Sequence, residues 1–279
     1  MAAADNLPAE VSHPRLGSGC TLTLVLHRHG DAATIFDCEG CREPGEGTRY
    51  TSGDLVLHTH CALAAHTLQH PLVKGDMVLR HVAPTGRDAV LCDACYGAVR
   101  GFHYHSSTGG LDLHPGCAKM PLSITLQEGG ATFDFVLRRK VKHRCSSCRA
   151  MEGYYRPWCY RSKNIPDHHQ RVYLHINCIK EIMAGLGHGG GGEASKMHRH
   201  EIMASGSSRG ADAAGGEGAN DRVNRVIARL QERAGGGGSS KSKLVRRVCE
   251  VLVMLMRVVM GVLLGDPTAP LIAFNFIMP

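Results

Sequence analysis

Three stretches of the chain alternate apolar and polar residues in the manner of β-strands: TLTLVLHRH from Thr21, DMVLRHV from Asp76 and ATFDFVLRRKV from Ala131. Up to residue 178 few other segments carry a helical period, so that part of the chain reads as short strands joined by turns. Beyond Cys178 the pattern changes. IKEIMAGLG predicts a short helix stopped by glycine. Residues 187–243 are rich in Gly, Ala and Ser with scattered charge, the composition of a flexible linker. Within it, Asn220 or Asp221 caps a short amphipathic helix over 221–233 that places Val223, Val226, Ile227 and Leu230 on one face. Residues 244–279 form an apolar C-terminal helix, Leu244 to Leu264, and a tail. Arg246, Glu250 and Arg257 fall on one narrow stripe of that helix, and everything else around it is apolar.

Composition narrows the fold. A chain of 279 residues has room for several domains, yet aromatics make up only 5% and glycine counts 34, which argues against one large core. Twelve cysteines and eighteen histidines are the excess to explain. The opening MAAADNLPAEVSHPRL lacks the charged and apolar regions of a secretory signal, so a reducing, intracellular compartment is expected, cytoplasmic or nuclear. Paired cysteines in such a compartment bind metal more often than they form disulfides.

The cysteines are periodic. Cys-x2-Cys pairs begin at Cys38, Cys92 and Cys145, and each is followed by a His-x2-Cys: His58 with Cys61, His114 with Cys117, His175 with Cys178. The flanks LHTHCA, LHPGCA and LHINCI match, which marks a three-fold repeat over 13–66, 67–122 and 123–186. Zinc prefers thiolate and imidazole in a tetrahedron, and two tight turns per repeat supply four such donors. The predicted sites are Cys38, Cys41, His58 and Cys61; Cys92, Cys95, His114 and Cys117; and Cys145, Cys148, His175 and Cys178, with about one structural zinc ion per repeat. Three Cys3His centres at −1 each lower the formal charge from +7 to +4, so the basic balance is ordinary and says little about partners.

At this level the chain resembles the plant cysteine/histidine-rich DC1-domain proteins, a divergent branch of the diacylglycerol-sensing zinc domain of protein kinase C. The resemblance rests on FDCEGC, GTRY, LHTHCA and TLQHPL, then LCDAC, GFHYH and LDLHPGCAKMPL, then CSSC, WCYRSK and YLHINCIKE, with GDPTAPLIA in the tail. It implies small zinc-stabilised, β-rich modules in tandem, each normally holding two interleaved ions. The second ion's ligands are missing in every repeat. TSGD follows Tyr50, Ser106 and Gly109 follow His105, and the third repeat offers only Cys159. The chain therefore reads as three degenerate DC1-like zinc-finger repeats, a flexible linker and C-terminal helices. His13, His27, His70, His103, His105, Cys159, His168 and His169 are left as surface or packing residues, and Cys20, Cys159 and Cys249 as ordinary thiols.

Closed four-ligand sites leave no position for water or substrate, so a non-catalytic interaction module in intracellular signalling is expected, with another protein as partner. The alternative is a lipid-associated protein, because Lys241, Lys243, Arg246 and Arg247 stand at the entry of the apolar helix and suit an anionic membrane surface. Nucleic acid is not expected, since aromatics are few and basic residues scattered. A thioredoxin-like enzyme is not expected either, since no Cys-x2-Cys sits at a strand-to-helix turn.

Overall fold

The computed structural model describes residues 7–13, 20–27, 34–84, 90–150, 157–163, 171–187 and 239–265. The helix expected over 221–233, together with His168 and His169, lies outside these residues.

One plan is built three times. In the first repeat β1 (Glu10–Ser12) pairs with β2 (Thr21–Val25); a small hairpin of β3 (Ile35–Asp37) and β4 (Pro44–Glu46) follows; then β5 (Arg49–Ser52) and β6 (Leu55–His58) complete an antiparallel sheet of order β1-β2-β5-β6. The second repeat uses β7 (Thr67–Gln69), β8 (Asp76–Arg80), β9 (His103–Ser106) and β10 (Leu111–Leu113) in sequential order. The third uses β11 (Ser123–Glu128), β12 (Ala131–Arg138), β13 (Cys159–Ser162) and β14 (Tyr173–His175) likewise. Each fourth strand runs into helix: α1 (Thr59–Ala62), α2 (Pro115–Ala118) and α3 (Ile176–Gly187). The three alternating stretches are thus β2, β8 and β12. In β12 the alternation is literal, with Phe133, Phe135 and Leu137 buried while Thr132 and Arg138 face solvent. The helix after Cys178 begins earlier than its periodicity suggested, at Ile176, because the His-x2-Cys turn is itself the first helical turn.

A tyrosine in each third strand ties down the start of its repeat. Tyr50, Tyr104 and Tyr160 are at most 1% exposed, and their hydroxyls donate to the carbonyls of Pro8, Ala65 and Pro121 at 2.7, 2.9 and 2.7 Å. A buried phenol needs such a partner, and here the partner is the chain entering its own module.

Successive repeats dock through one repeated contact. The residue before the third strand of the second repeat, Phe102, inserts into the core of the first and stacks on His13 at 5.6 Å. Its counterpart Trp158 packs into the second repeat against His70 at 5.1 Å. The backbone repeats the contact: Phe102 N–H donates to Gly40 C=O at 2.8 Å, and Trp158 N–H to Ala94 C=O at 3.0 Å. Gly40 and Ala94 lie inside the first two Cys-x2-Cys turns, so each of these two turns also holds the next repeat. Gly101 lies so close to the Gly40 carbonyl that a Cβ there would collide with it. Gly101→Ala should cost about 1–3 kcal/mol through overpacking at this junction, read as a lowered urea midpoint with the metal content kept.

The last helix, α4 (Ser239–Leu264), begins at Ser239 rather than Leu244, so SSKSK belongs to it and not to the linker. Its apolar face is covered by its own chain. Val251, Leu252, Leu255 and Val259 join one continuous core with the second and third repeats. At its end the Thr59 hydroxyl donates to the Gly265 carbonyl at 2.8 Å, reaching back to the first repeat. Arg257 is exposed and Glu250 half-buried, consistent with the polar stripe. Among the described residues no helix is long and apolar enough to cross a membrane.

Candidate metal centres

Each Cys-x2-Cys forms a tight turn closed by two backbone bonds. In the first, Arg42 N–H donates to Cys38 C=O at 2.8 Å and Cys38 N–H to Glu43 C=O at 3.1 Å; the turns at Cys92 and Cys145 repeat both bonds. The turn requires the residue after the second cysteine to adopt a left-handed backbone, and Arg42, Tyr96 and Arg149 do so with φ of 63°, 62° and 61°. That conformation costs an ordinary residue about 1–2 kcal/mol, while glycine gives back part of the gain as chain entropy. Arg149 is exposed, so Arg149→Gly should stabilise the zinc-saturated protein by roughly 0.5–1 kcal/mol in chemical denaturation.

The fourth strand delivers the imidazole at its end and the first helical turn delivers the last thiol. The result is three clusters: Cys38, Cys41, His58 and Cys61; Cys92, Cys95, His114 and Cys117; Cys145, Cys148, His175 and Cys178. In each, one donor atom per residue lies within 4.8 Å of all the others. Sulfur atoms at the corners of a tetrahedron with Zn–S bonds of about 2.3 Å stand roughly 3.8 Å apart. The Cys145 and Cys178 sulfurs are 3.8 Å apart, and all twelve cysteines are free thiols. In every cluster the imidazole offers Nδ1, 3.3 to 4.0 Å from two of the sulfurs. On His58 and His114 the opposite nitrogen, Nε2, faces the carbonyls of Pro44 and Ala98 at 3.0 and 3.1 Å. Donation there places the proton on Nε2 and leaves Nδ1 free to ligate, the usual way a second layer orients a metal-binding histidine.

Crowding governs the thiols. Hydrogen bonds from Cys41 and Cys61 pull Cys38 well below the ordinary thiol range, and those from Cys148 and Cys178 do the same for Cys145. Cys92 is pushed up by burial, yet bonds from Cys117 and Cys95 hold it well below that range. At least one neighbour in each cluster moves the opposite way: burial and the bond to Cys38 push Cys61 up, and the bonds to Cys92 and Cys145 push up Cys117 and Cys178. In each cluster one thiol is favoured as thiolate and at least one other is disfavoured. A divalent ion supports three thiolates, so loading releases protons and affinity falls as pH is lowered.

The clusters differ in shelter. All four ligands are buried in the first two, whereas Cys148 is exposed in the third. The middle cluster also draws charge from both neighbouring repeats. Lys180 on α3 donates to Glu43 at 2.8 Å, and Glu43 lies 3.8 Å from the His114 ring. Burial alone would lower the Lys180 pKa, but Cys95, Glu43 and Cys117 more than offset it and raise it. No motif marks this pair, because its members lie 137 residues apart.

The leftover donors go elsewhere. His13, His70 and His103 are buried packing residues; His105 bonds Asp112 at 2.9 Å; Cys159 is buried; His27 is half-buried. Cys20 contacts the Ser52 hydroxyl at 3.3 Å, and burial pushes Cys249 up to about 11. Among the described residues the groups close enough to hold an ion are the three clusters already given.

Three Cys3His-type clusters on β-rich repeats make the chain a tandem array of small metal-binding modules of the zinc-finger kind, with a donor set that suits zinc. No family model, curated protein or solved structure matches the chain.

Proposed function

We propose that the chain is a non-catalytic zinc-binding scaffold built from three degenerate DC1 repeats, working inside the cell, cytoplasmic or nuclear, as an interaction module in signalling. The observation that carries this reading is closure: each cluster supplies four protein donors, the full complement of a structural zinc, so none keeps a coordination position for substrate. DC1 membership is supported by the repeated cysteine and histidine phrases, with the second ion's ligands missing each time. Another protein is the expected partner, because repeats locked to one another through their metal-binding turns present loops in fixed relative positions. Membrane association through the C-terminal helix loses ground, since the apolar face it would insert is occupied by the second and third repeats.

Elemental analysis of purified protein tests the metal reading. A ratio of about three zinc ions per chain is expected, one for each closed four-ligand site. A ratio near six would restore the two-ion domain and return His13, His70 and Cys159 to the ligand list.

A further inference from the structure

The outer face of the third sheet carries a feature its two sister repeats lack. Strand registry defines equivalent positions. The second residue after the pinned tyrosine's predecessor, together with its cross-strand partner, is Thr51 with Val56 in the first repeat, His105 with Asp112 in the second and Arg161 with Tyr173 in the third. The first pair is uncharged, and in the second the imidazole of His105 is already engaged by the Asp112 carboxylate at 2.9 Å. The third is a cation facing a phenol. Arg161 and Tyr173 line a pocket of about 380 Å³ together with Arg138, Lys140, Val141, Lys142 and His143. Residues 138–144 read RRKVKHR, six basic side chains in seven, and no acidic residue is among the described residues lining the pocket. The Arg161 Nε is buried and finds no hydrogen-bond partner in the described protein. Four permanent cations around one concavity, one with an unanswered buried donor, repel each other unless an anion joins them.

We propose that this pocket binds the phosphate groups of a compact, multiply phosphorylated ligand, taken up free or presented as a lipid headgroup. The volume is in the range of small-ligand sites. Arginine and lysine supply the forked and point donors that phosphate oxygens accept. A nucleic-acid strand is a poorer fit: it needs a track of cations with bare aromatic faces for its bases, whereas Tyr173 is 7% exposed and already stacked by His143 at 4.7 Å. The pocket stands apart from the scaffold reading, because none of its basic residues belongs to a metal cluster.

The test uses the full-length zinc-loaded chain. Inositol 1,4,5-trisphosphate and inorganic phosphate are titrated calorimetrically, and phosphatidylcholine vesicles with and without phosphatidylinositol 4,5-bisphosphate are co-sedimented. Saturable binding of the trisphosphate or of the bisphosphate-containing vesicles is expected, weakened roughly tenfold or more in a combined Lys142→Gln and Arg161→Gln variant. Arg80→Gln, which by strand registry stands in the second repeat where Arg138 stands in the third, should bind as the unaltered chain does. Binding of the soluble trisphosphate without vesicle pelleting assigns a free ligand, and bisphosphate-dependent pelleting assigns a headgroup. If Arg161→Gln disturbs the sheet, a combined Lys140→Gln and Lys142→Gln variant carries the same comparison, since both side chains are exposed. Absence of saturable binding to every probe would overturn the proposal and leave the cations to balance the thiolates of the third cluster. So would binding that no pocket variant weakens, or tighter binding of a single-stranded RNA than of the trisphosphate.

Discussion

Stripping the metal with a strong chelator should unfold the repeats, seen as loss of near-ultraviolet circular dichroism and collapse of amide dispersion. The magnitudes leave little room for another outcome. A structural zinc contributes about 10–16 kcal/mol of apparent binding free energy near neutral pH, while a whole domain is stable by about 5–15 kcal/mol. Coupling between repeats enlarges the effect, because the turn holding Cys38 and Cys41 accepts Phe102 and the turn holding Cys92 and Cys95 accepts Trp158. Loss of the middle site should therefore release the third repeat as well, and Cys92→Ser should be more damaging than Cys148→Ser. With limiting chelator the third cluster should empty first, since Cys148 is exposed while the other two clusters are wholly buried. Spectra that stay unchanged after elemental analysis shows the metal gone would end the structural role of these sites.

Leu255→Ala should lower stability by about 2–5 kcal/mol, the range for truncating a large aliphatic side chain in a packed core. Leu255 is 0% exposed and lies with Val251, Leu252, Met256 and Val259 in the core shared with Leu126, Phe133 and Ile179. The loss should show as a lower thermal midpoint with the zinc content unchanged. This result separates two readings of the apolar helix. A helix held for a membrane or a partner would tolerate the truncation in solution, and its removal would instead abolish co-sedimentation with liposomes. An unaltered midpoint in Leu255→Ala would mean that the helix does not rest on the repeats.

The twelve residues of the three clusters were legible one by one, because ligand chemistry and turn geometry are local. Cys-x2-Cys needs one tight turn, His-x2-Cys one helical turn, and both leave a fixed spacing in the chain. The strand stretches were legible for a similar reason: a half-buried strand writes its two faces into alternate residues, as Phe133, Phe135 and Leu137 show. Threefold spacing then indicated three copies of one plan.

What escaped the sequence depends on partners far along the chain. Phe102 and Trp158 look like ordinary apolar residues before a strand, and only docking makes them the plugs between repeats. Tyr50, Tyr104 and Tyr160 recur visibly, yet their hydroxyls meet carbonyls about 40 residues away, which no period reports. The same holds for Glu43 and Lys180, whose charges gain meaning beside the middle cluster, and for Arg161, set against Tyr173 by strand registry. The apolar helix is the clearest case. Its pattern specified a face that must be covered, but burial is non-directional, so the cover was settled by which surface the folded repeats presented.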